Sequence, residues 1–320
     1  MNRRIALAAS ACIALDFFLM GAQAQSPTPI RILVGAPAGG STDTLARVLA
    51  QELSRLLGRR VIVENKPGAG GNIAAETVAR AAPDGNTLLM SFTSHAINAS
   101  LYSNLPFDPV KDFTPLTCVA TSPSVLVAHP SLPARDVREL IELARAKPGR
   151  LNFAIGAIGS SLHLAGDAFK MQSGVYIVNI PYRGTAPAIQ DVLAGQVELM
   201  FAAVGNAHTH IKAGKLRALG VTSPKRLLAF PEVPAINEVL PGYESSAWFG
   251  LFAPGRMDAA LASVLSEATR QAVAAPEVLR RFETEGYTPV GNAPEEFGRF
   301  LQAEISRWGR VVKFSGAKPE

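Results

Sequence analysis

Residues 30–57 read IRILVGAPAGGSTDTLARVLAQELSRLL. The short apolar run from Ile30 to Gly35 has the length and bounding glycine of a strand. The amphipathic stretch from Thr42 to Leu57 has the length and spacing of a helix. Between them the chain turns through paired glycines into a Ser-Thr-Asp helix start. A strand feeding directly into a helix is the first half of a strand-helix-strand unit. The same alternation continues through Val61 to Glu64, Asn72 to Ala81 and Thr87 to Phe92. The pattern predicts an α/β fold with a mostly parallel sheet, right-handed crossovers and ligands at the carboxyl ends of the strands.

Beyond Pro123 a second cycle begins. Strands are predicted at Ser124 to Ala128, Leu151 to Ile155, Val175 to Ile180, Val197 to Ala203 and Leu216 to Thr222, and helices at Val137 to Ala146, Leu162 to Gln172 and Ala186 to Ala194. The last third adds a strand from Trp248 to Ala253, a helix over Asp258 to Ala275 and a terminal helix from Glu295 to Lys313. A chain of this length suits two domains better than one core. The expected division is one lobe from residues 25–123 and 248–320, with a second from 124–247, so that the chain crosses twice between them.

Arg3 and Arg4 precede an apolar run from Ile5 to Met20, and Ala22-Gln23-Ala24 supplies small residues for a signal peptidase. Residues 1–24 therefore read as an export leader cleaved near Ala24, placing the mature chain in the periplasm. The run is too short for a membrane span and is broken by Asp16. The residues before Cys12 lack the leucine expected of a lipid-attachment site. After cleavage Cys118 is the lone thiol and can form no intramolecular disulfide. Losing two arginines and one aspartate with the leader takes the formal charge from +5 to about +4, with no basic block. That distribution gives no reason to expect a nucleic-acid partner. No heptad or long apolar stripe calls for an oligomer, and a monomer is expected.

The candidate site residues lie where strands end. In Gly35 to Asp43, the amides around Ala36, Gly39, Gly40 and Ser41, with the positive end of the helix dipole, can hold an anion without a cationic side chain. The plainer reading is a capped helix whose dipole Asp43 complements. Ala157, Ser160 and Ser161, in Ala154 to His163, repeat the design in the second half. A hydrolase reading would make Ser160 or Ser161 a nucleophile with His163 as base, but no Gly-x-Ser-x-Gly elbow is present. Ser94 and His95 follow a first-half strand and could offer a hydroxyl and an imidazole, although His95 reads equally well as a structural residue. Thr185 follows another strand and can cap its helix. Ala203 and Asn206 end a further one. Gly68-Ala69-Gly70-Gly71 has the wrong spacing for a dinucleotide fingerprint and reads as a tight connection. His208 and His210 have no third ligand near them in sequence and read as a solvated helix start. Neither cofactor nor metal is expected.

Several stretches together are similar to one family. They include Pro37 to Asp43 with Ala46-Arg47, Val63 to Gly71, Pro83-Asp84-Gly85, Lys111-Asp112-Phe113, Gly159 to Gly166, Pro181 to Gly184, Ala194 to Val197, Pro231 to Pro234 and Trp248 to Pro254. The chain resembles the substrate-binding receptors of tripartite tricarboxylate transporters, also called Bug-type receptors. The resemblance implies a type II periplasmic-binding-protein fold, two Rossmann-like lobes with a hinged cleft. It implies a di- or tricarboxylate or related organic acid held by backbone groups, hydroxyls and ordered water, and delivery to a two-component integral membrane permease. The ligand-facing loops would be Ala36 to Asp43, Ser94-His95, Ala157 to Ser161, Thr185 and Ala203 to Asn206. Members often carry an aspartate after Met-Phe. Here Ala202-Ala203 follow Met200-Phe201, which speaks against an amino-acid ligand. The alternatives are a sensor for a signalling partner and the serine hydrolase.

Overall fold

The computed structural model describes residues 28–228 and 230–319; the expected leader lies outside them. The chain runs β1 (Ile30–Val34), α1 (Ser41–Leu57), β2 (Val61–Asn65), α2 (Asn72–Ala79), β3 (Thr87–Phe92), α3 (Ser94–Leu101) and β4 (Phe113–Ser122). It then crosses to β5 (Ser124–Ala128), α4 (Val137–Ala146), β6 (Asn152–Ile155), α5 (Ser161–Ser173), β7 (Val178–Pro181), α6 (Thr185–Leu193), β8 (Leu199–Ala203), α7 (Val204–Lys212) and β9 (Arg217–Val221). It returns through β10 (Ala247–Pro254), α8 (Ala259–Ala274), α9 (Pro276–Thr284), β11 (Thr288–Pro289) and α10 (Pro294–Ser315).

Two sheets result, in the orders β11-β4-β10-β3-β1-β2 and β7-β6-β8-β5-β9. The expectation of mostly parallel sheets is corrected, because both are mixed. Strands β2, β1 and β3 pair in parallel, as do β7, β6 and β8. Strand β10 runs against β3 and β4, and β5 runs against β8 and β9. The reason lies in the crossings. The chain leaves one sheet at a strand's carboxyl end, so the strand it enters starts beside that point and runs away from it. Each entering strand, β5 and β10, is thereby forced antiparallel to its neighbours.

Alternation along the strands fills two apolar layers per sheet. Ile32 and Val34 of β1 join one cluster and Leu33 the other. In the second sheet Leu126 and Ala128 of β5 face one cluster, Val125 and Val127 the opposite one. Helices therefore cover both faces of each sheet. Each buried valine, leucine or isoleucine among them contributes about 1.5–3 kcal/mol. The terminal helix α10 does more than rejoin the first sheet. Leu301, Trp308 and Val312 share a cluster with Leu164 of α5, so α10 spans both halves.

Gly68 to Gly71 forms a tight connection, as read from the sequence. A Cβ on Gly35 would stand 2.6 Å from the Gly71 Cα, so these two turns meet backbone to backbone. In the second half a Cβ on Gly156 would stand 2.9 Å from the Thr185 amide nitrogen. The glycines thus bring successive strand-to-helix turns into contact. His208 and His210 lie in the second half of α7 rather than at a helix start. Among the described residues, no group of three or more His, Cys, Asp or Glu side chains is gathered as a metal centre would require.

Candidate ligand-binding site

Between the two sheets lies a cavity of about 200 Å³ lined by Ser41, Phe92, Thr93, Ser122, Pro123, Ser124, Ser161, Leu162, Ala203, Ser245, Ala247 and Phe249. None of these carries a formal charge. Their positions on the elements explain what the cavity attracts. Ser41 and Ser161 are the first residues of α1 and α5, while Thr93 and Ala203 are the N-caps of α3 and α7. Four helix N-termini therefore converge on one small space, two from each half. The first-turn amides of a helix have no intrahelical acceptor and carry its positive partial charge. The Ser41 and Ser161 amides make no hydrogen bond to another described residue. An anion is the occupant that such a space stabilises, and a carboxylate matches the spacing of paired N–H donors.

The glycine turn is built around Asp43. Its Oδ2 accepts from the Gly39 amide at 2.9 Å and from Arg47 Nε at 2.9 Å, and its Oδ1 accepts from Asn65 Nδ2 at 2.9 Å. Burial would raise its pKa, but the hydrogen bonds from Arg47, Gly39 and Asn65 outweigh burial and hold it below the usual carboxylate range. Asn65 also donates to the carbonyl of Ala36 at 3.0 Å, and the Gly40 amide donates to Pro37 O at 3.3 Å. Gly39, Gly40 and Asp43 thus spend their polar groups on shaping the turn. What they present to the cavity is Ser41.

The second turn is shaped in the same way. Ser160 caps α5 by accepting from the His163 amide at 3.2 Å, and its hydroxyl donates to Ala157 O at 2.8 Å. The His163 ring accepts from the Gly159 amide through Nδ1 at 3.0 Å and sets Nε2 3.1 Å from Asp167 Oδ2. Neither ring nitrogen meets Ser160 or Ser161, so the serine–histidine pair of the hydrolase reading is not formed. Burial acts to raise the Asp167 pKa, but the neighbouring His163, Lys170 and Ser315 side chains hold it far below the ordinary range. This buried network fixes the start of α5.

Of the expected site residues, the cavity gathers Ser41, Ser161 and Ala203. Ala36, Gly39, Gly40, Asp43, Ala157 and Ser160 form the turns that carry them. Thr185 is the first residue of α6, with Gly184 rather than its own hydroxyl at the cap position, and it lies outside the lining. Asn206 is exposed in the first turn of α7, and Ser94 is the first residue of α3; neither lines the cavity. His95 is corrected most sharply. It is buried between Phe107, Phe113 and Phe252, with ring centroids 6.1, 4.9 and 5.1 Å away, and Nε2 stands 2.9 Å from Pro109 O. The helical start at Thr93 turns residue 95 into the core. Sequence reasoning missed Ser122, Ser124 and Ser245, which flank the crossings, and took Ser94 and His95 in place of Thr93.

Burial pushes the His95 pKa down to about 4 from 6.5, against the opposing effect of its hydrogen bond to Pro109. The folded pKa is depressed, so the unfolded chain takes up the proton first. The stabilisation is complete above about pH 6.5 and is lost as pH falls toward 4, to a limit of about 3 kcal/mol. Urea unfolding at pH 7 and pH 4.5 should show this loss in the native chain and a smaller loss in His95→Phe. Equal acid sensitivity in both proteins would remove His95 from the account.

Two α/β halves joined by two crossings, with helix starts gathered on an uncharged cavity between them, have the architecture of the solute-binding-protein fold. The chain matches the model of the tripartite tricarboxylate transporter family receptor over residues 45–316 and belongs to that family. It is 38% identical to the protein BugT of Bordetella pertussis over 293 residues, 91% of this chain and 90% of that one. Among solved structures, Rhodopseudomonas palustris Rpa4515 with adipate is 34% identical, with a TM-score of 0.75, covering 92% of this chain and 99% of that one. MatC from the same organism, with bound malate, is 33% identical, with a TM-score of 0.72, covering 89% and 99%.

Proposed function

We propose that this chain captures a small organic acid, a di- or tricarboxylate, between its two lobes in the periplasm and hands it to a two-component membrane permease. The observation that carries the reading is the convergence of four helix N-termini on a cavity without a charged side chain. Relatives solved with adipate and with malate support the same chemical class. In this reading residues 25–123 and 248–320 form one lobe and 124–247 the other, with the leader removed near Ala24 and the receptor acting as a monomer. Ser41, Ser161 and Ala203 meet the ligand, joined by Thr93, Ser122 and Ser124. The glycine turns hold them in place. The lack of a serine–histidine pair in the cavity and the receptor family together favour binding without turnover.

The test is a thermal-shift panel of mono-, di- and tricarboxylates against their amides. An acid at about 100 times its dissociation constant adds about 2.7 kcal/mol to stability, a shift well within measurement. The diamide of the same acid should give none, because it cannot supply the negative charge that the amides attract. A panel in which acids and amides behave alike, or in which no acid acts, sinks the proposal.

A further inference from the structure

The ligand cavity has a larger neighbour. A groove of about 900 Å³ lies beside it, with Val204, Leu227, Leu279 and Tyr287 in its apolar lining. The two spaces adjoin: Pro123 lines both, and the consecutive residues Ala203 and Val204 line the cavity and the groove in turn. Pockets that take drug-sized ligands run to about 300–1,000 Å³. The cavity, at about 200 Å³, falls below that range, and the groove lies near its top. Joined, they would accept a far longer acid than the cavity holds alone.

Tyr287 stands between them. It lines the groove and is 9% exposed. On its other side it meets two residues that line the cavity. Its ring packs edge-on against Phe249 with centroids 5.7 Å apart, and its hydroxyl neighbours the side chain of Ser41. A second edge-on contact, to Phe282 of α9 at 6.1 Å, holds the ring from behind. Such pairs stabilise beyond the area they bury. The backbone is fixed as well: the Tyr287 amide donates to Phe282 O at 2.8 Å, and Thr288, next in the chain, pairs with Thr121 of β4. Ser41, Phe249 and Tyr287 all belong to elements of the first half, so this wall keeps its shape wherever the second half stands.

We propose that Tyr287 is a specificity-determining residue: by backing Phe249 and Ser41 it closes the cavity toward the groove and sets an upper limit on the length of the bound acid. The inference rests on the carboxylate-receptor reading and narrows its substrate class to short acids. Without the phenol ring Phe249 loses its support and can swing into the vacated space. The carbon chain of a longer acid can then pass from the cavity into the apolar groove, where each methylene buried is worth about fourfold in affinity.

The experiment is calorimetry on the native chain, Tyr287→Ala, Tyr287→Leu and Tyr287→Phe with the linear diacids succinate, adipate, suberate and sebacate. The readout is the affinity for sebacate relative to that for the tightest-binding acid of the thermal-shift panel, measured in the same protein. A general loss of affinity, which a merely structural tyrosine would produce on removal, leaves that ratio alone. In the native chain sebacate should bind at least about 10-fold more weakly than the tightest acid. In Tyr287→Ala the ratio should move toward sebacate by roughly 10- to 100-fold, as two or three methylenes enter the groove. Tyr287→Leu, which refills part of the space, should move it less in the same direction and serves if the alanine variant does not fold. Tyr287→Phe keeps the ring and should keep the native ratio. A native chain that binds sebacate as tightly as its best short acid, an unchanged ratio in the folded alanine or leucine variant, or a phenylalanine variant that shifts as far as the alanine one overturns the proposal and leaves the receptor reading intact. A native chain that binds no carboxylate of either set overturns both.

Discussion

Glu304→Ala should lower the stability of the chain by about 3–5 kcal/mol, because it breaks a buried ionic cluster on one side only. The Glu304 carboxylate is 5% exposed. Its Oε2 accepts from the indole nitrogens of Trp248 at 3.0 Å and Trp308 at 2.9 Å, and Arg307 Nη2 pairs with Oε1 at 2.8 Å. Without it, two indole N–H groups lose their acceptor and a guanidinium that is itself only partly exposed loses its counter-ion. Glu304→Gln keeps one acceptor oxygen for the indoles but not the charge that pairs with Arg307, so its loss should be smaller. Urea denaturation of the three proteins gives the comparison, and a loss below about 1 kcal/mol in Glu304→Ala would show that the indoles find other partners.

The place of this cluster gives it a functional consequence. Trp248 is the second residue of β10, just after the return crossing, and Arg307 also donates to the carbonyl of Glu244, the residue before Ser245. Helix α10 thus fastens the crossing from outside while the ligand space borders it from inside. A destabilised Glu304 variant should also bind its acid more weakly, even though Glu304 does not line the cavity.

How much of this was legible in the sequence depends on whether the signal was local. Glycine followed by Ser-Thr or Ser-Ser marks α1 and α5, and reading it places Ser41 and Ser161 at helix starts. The α/β class follows from the alternation of short apolar runs with amphipathic stretches. Strand direction does not, because β5 and β10 look like any other apolar run and only the crossings reverse them. Strand β4 was missed because FTPLTCVATS mixes a proline and four hydroxyl residues into its span. Helix α3 was missed because SHAINASL carries a weak amphipathic pattern, and with it went the register that sends His95 into the core and leaves Thr93 at the cavity. Ser122, Ser124 and Ser245 have no periodicity to announce them. Their one available signal was the presence of small hydroxyl residues on both sides of the expected lobe boundaries.

Ser161→Pro and Ser41→Pro should fold normally and bind the acid roughly 10- to 100-fold more weakly, with the double variant losing nearly all binding. Proline is well placed at the first position of a helix, where its fixed φ suits the backbone and its missing N–H breaks no intrahelical bond. The residue before a proline must be extended, and Gly40 (φ −79, ψ 170) and Ser160 (φ −68, ψ 158) already are. The substitution therefore removes one amide donor and one hydroxyl at the cavity while sparing the helix. Ser161→Ala and Ser41→Ala remove the hydroxyl alone. A large loss in the proline variants beside a small one in the alanine variants would show that the backbone amide and the helix terminus hold the carboxylate. Equal losses would transfer the role to the hydroxyls. Proline variants that fold and bind like the native chain would mean that the acid does not sit against these helix starts.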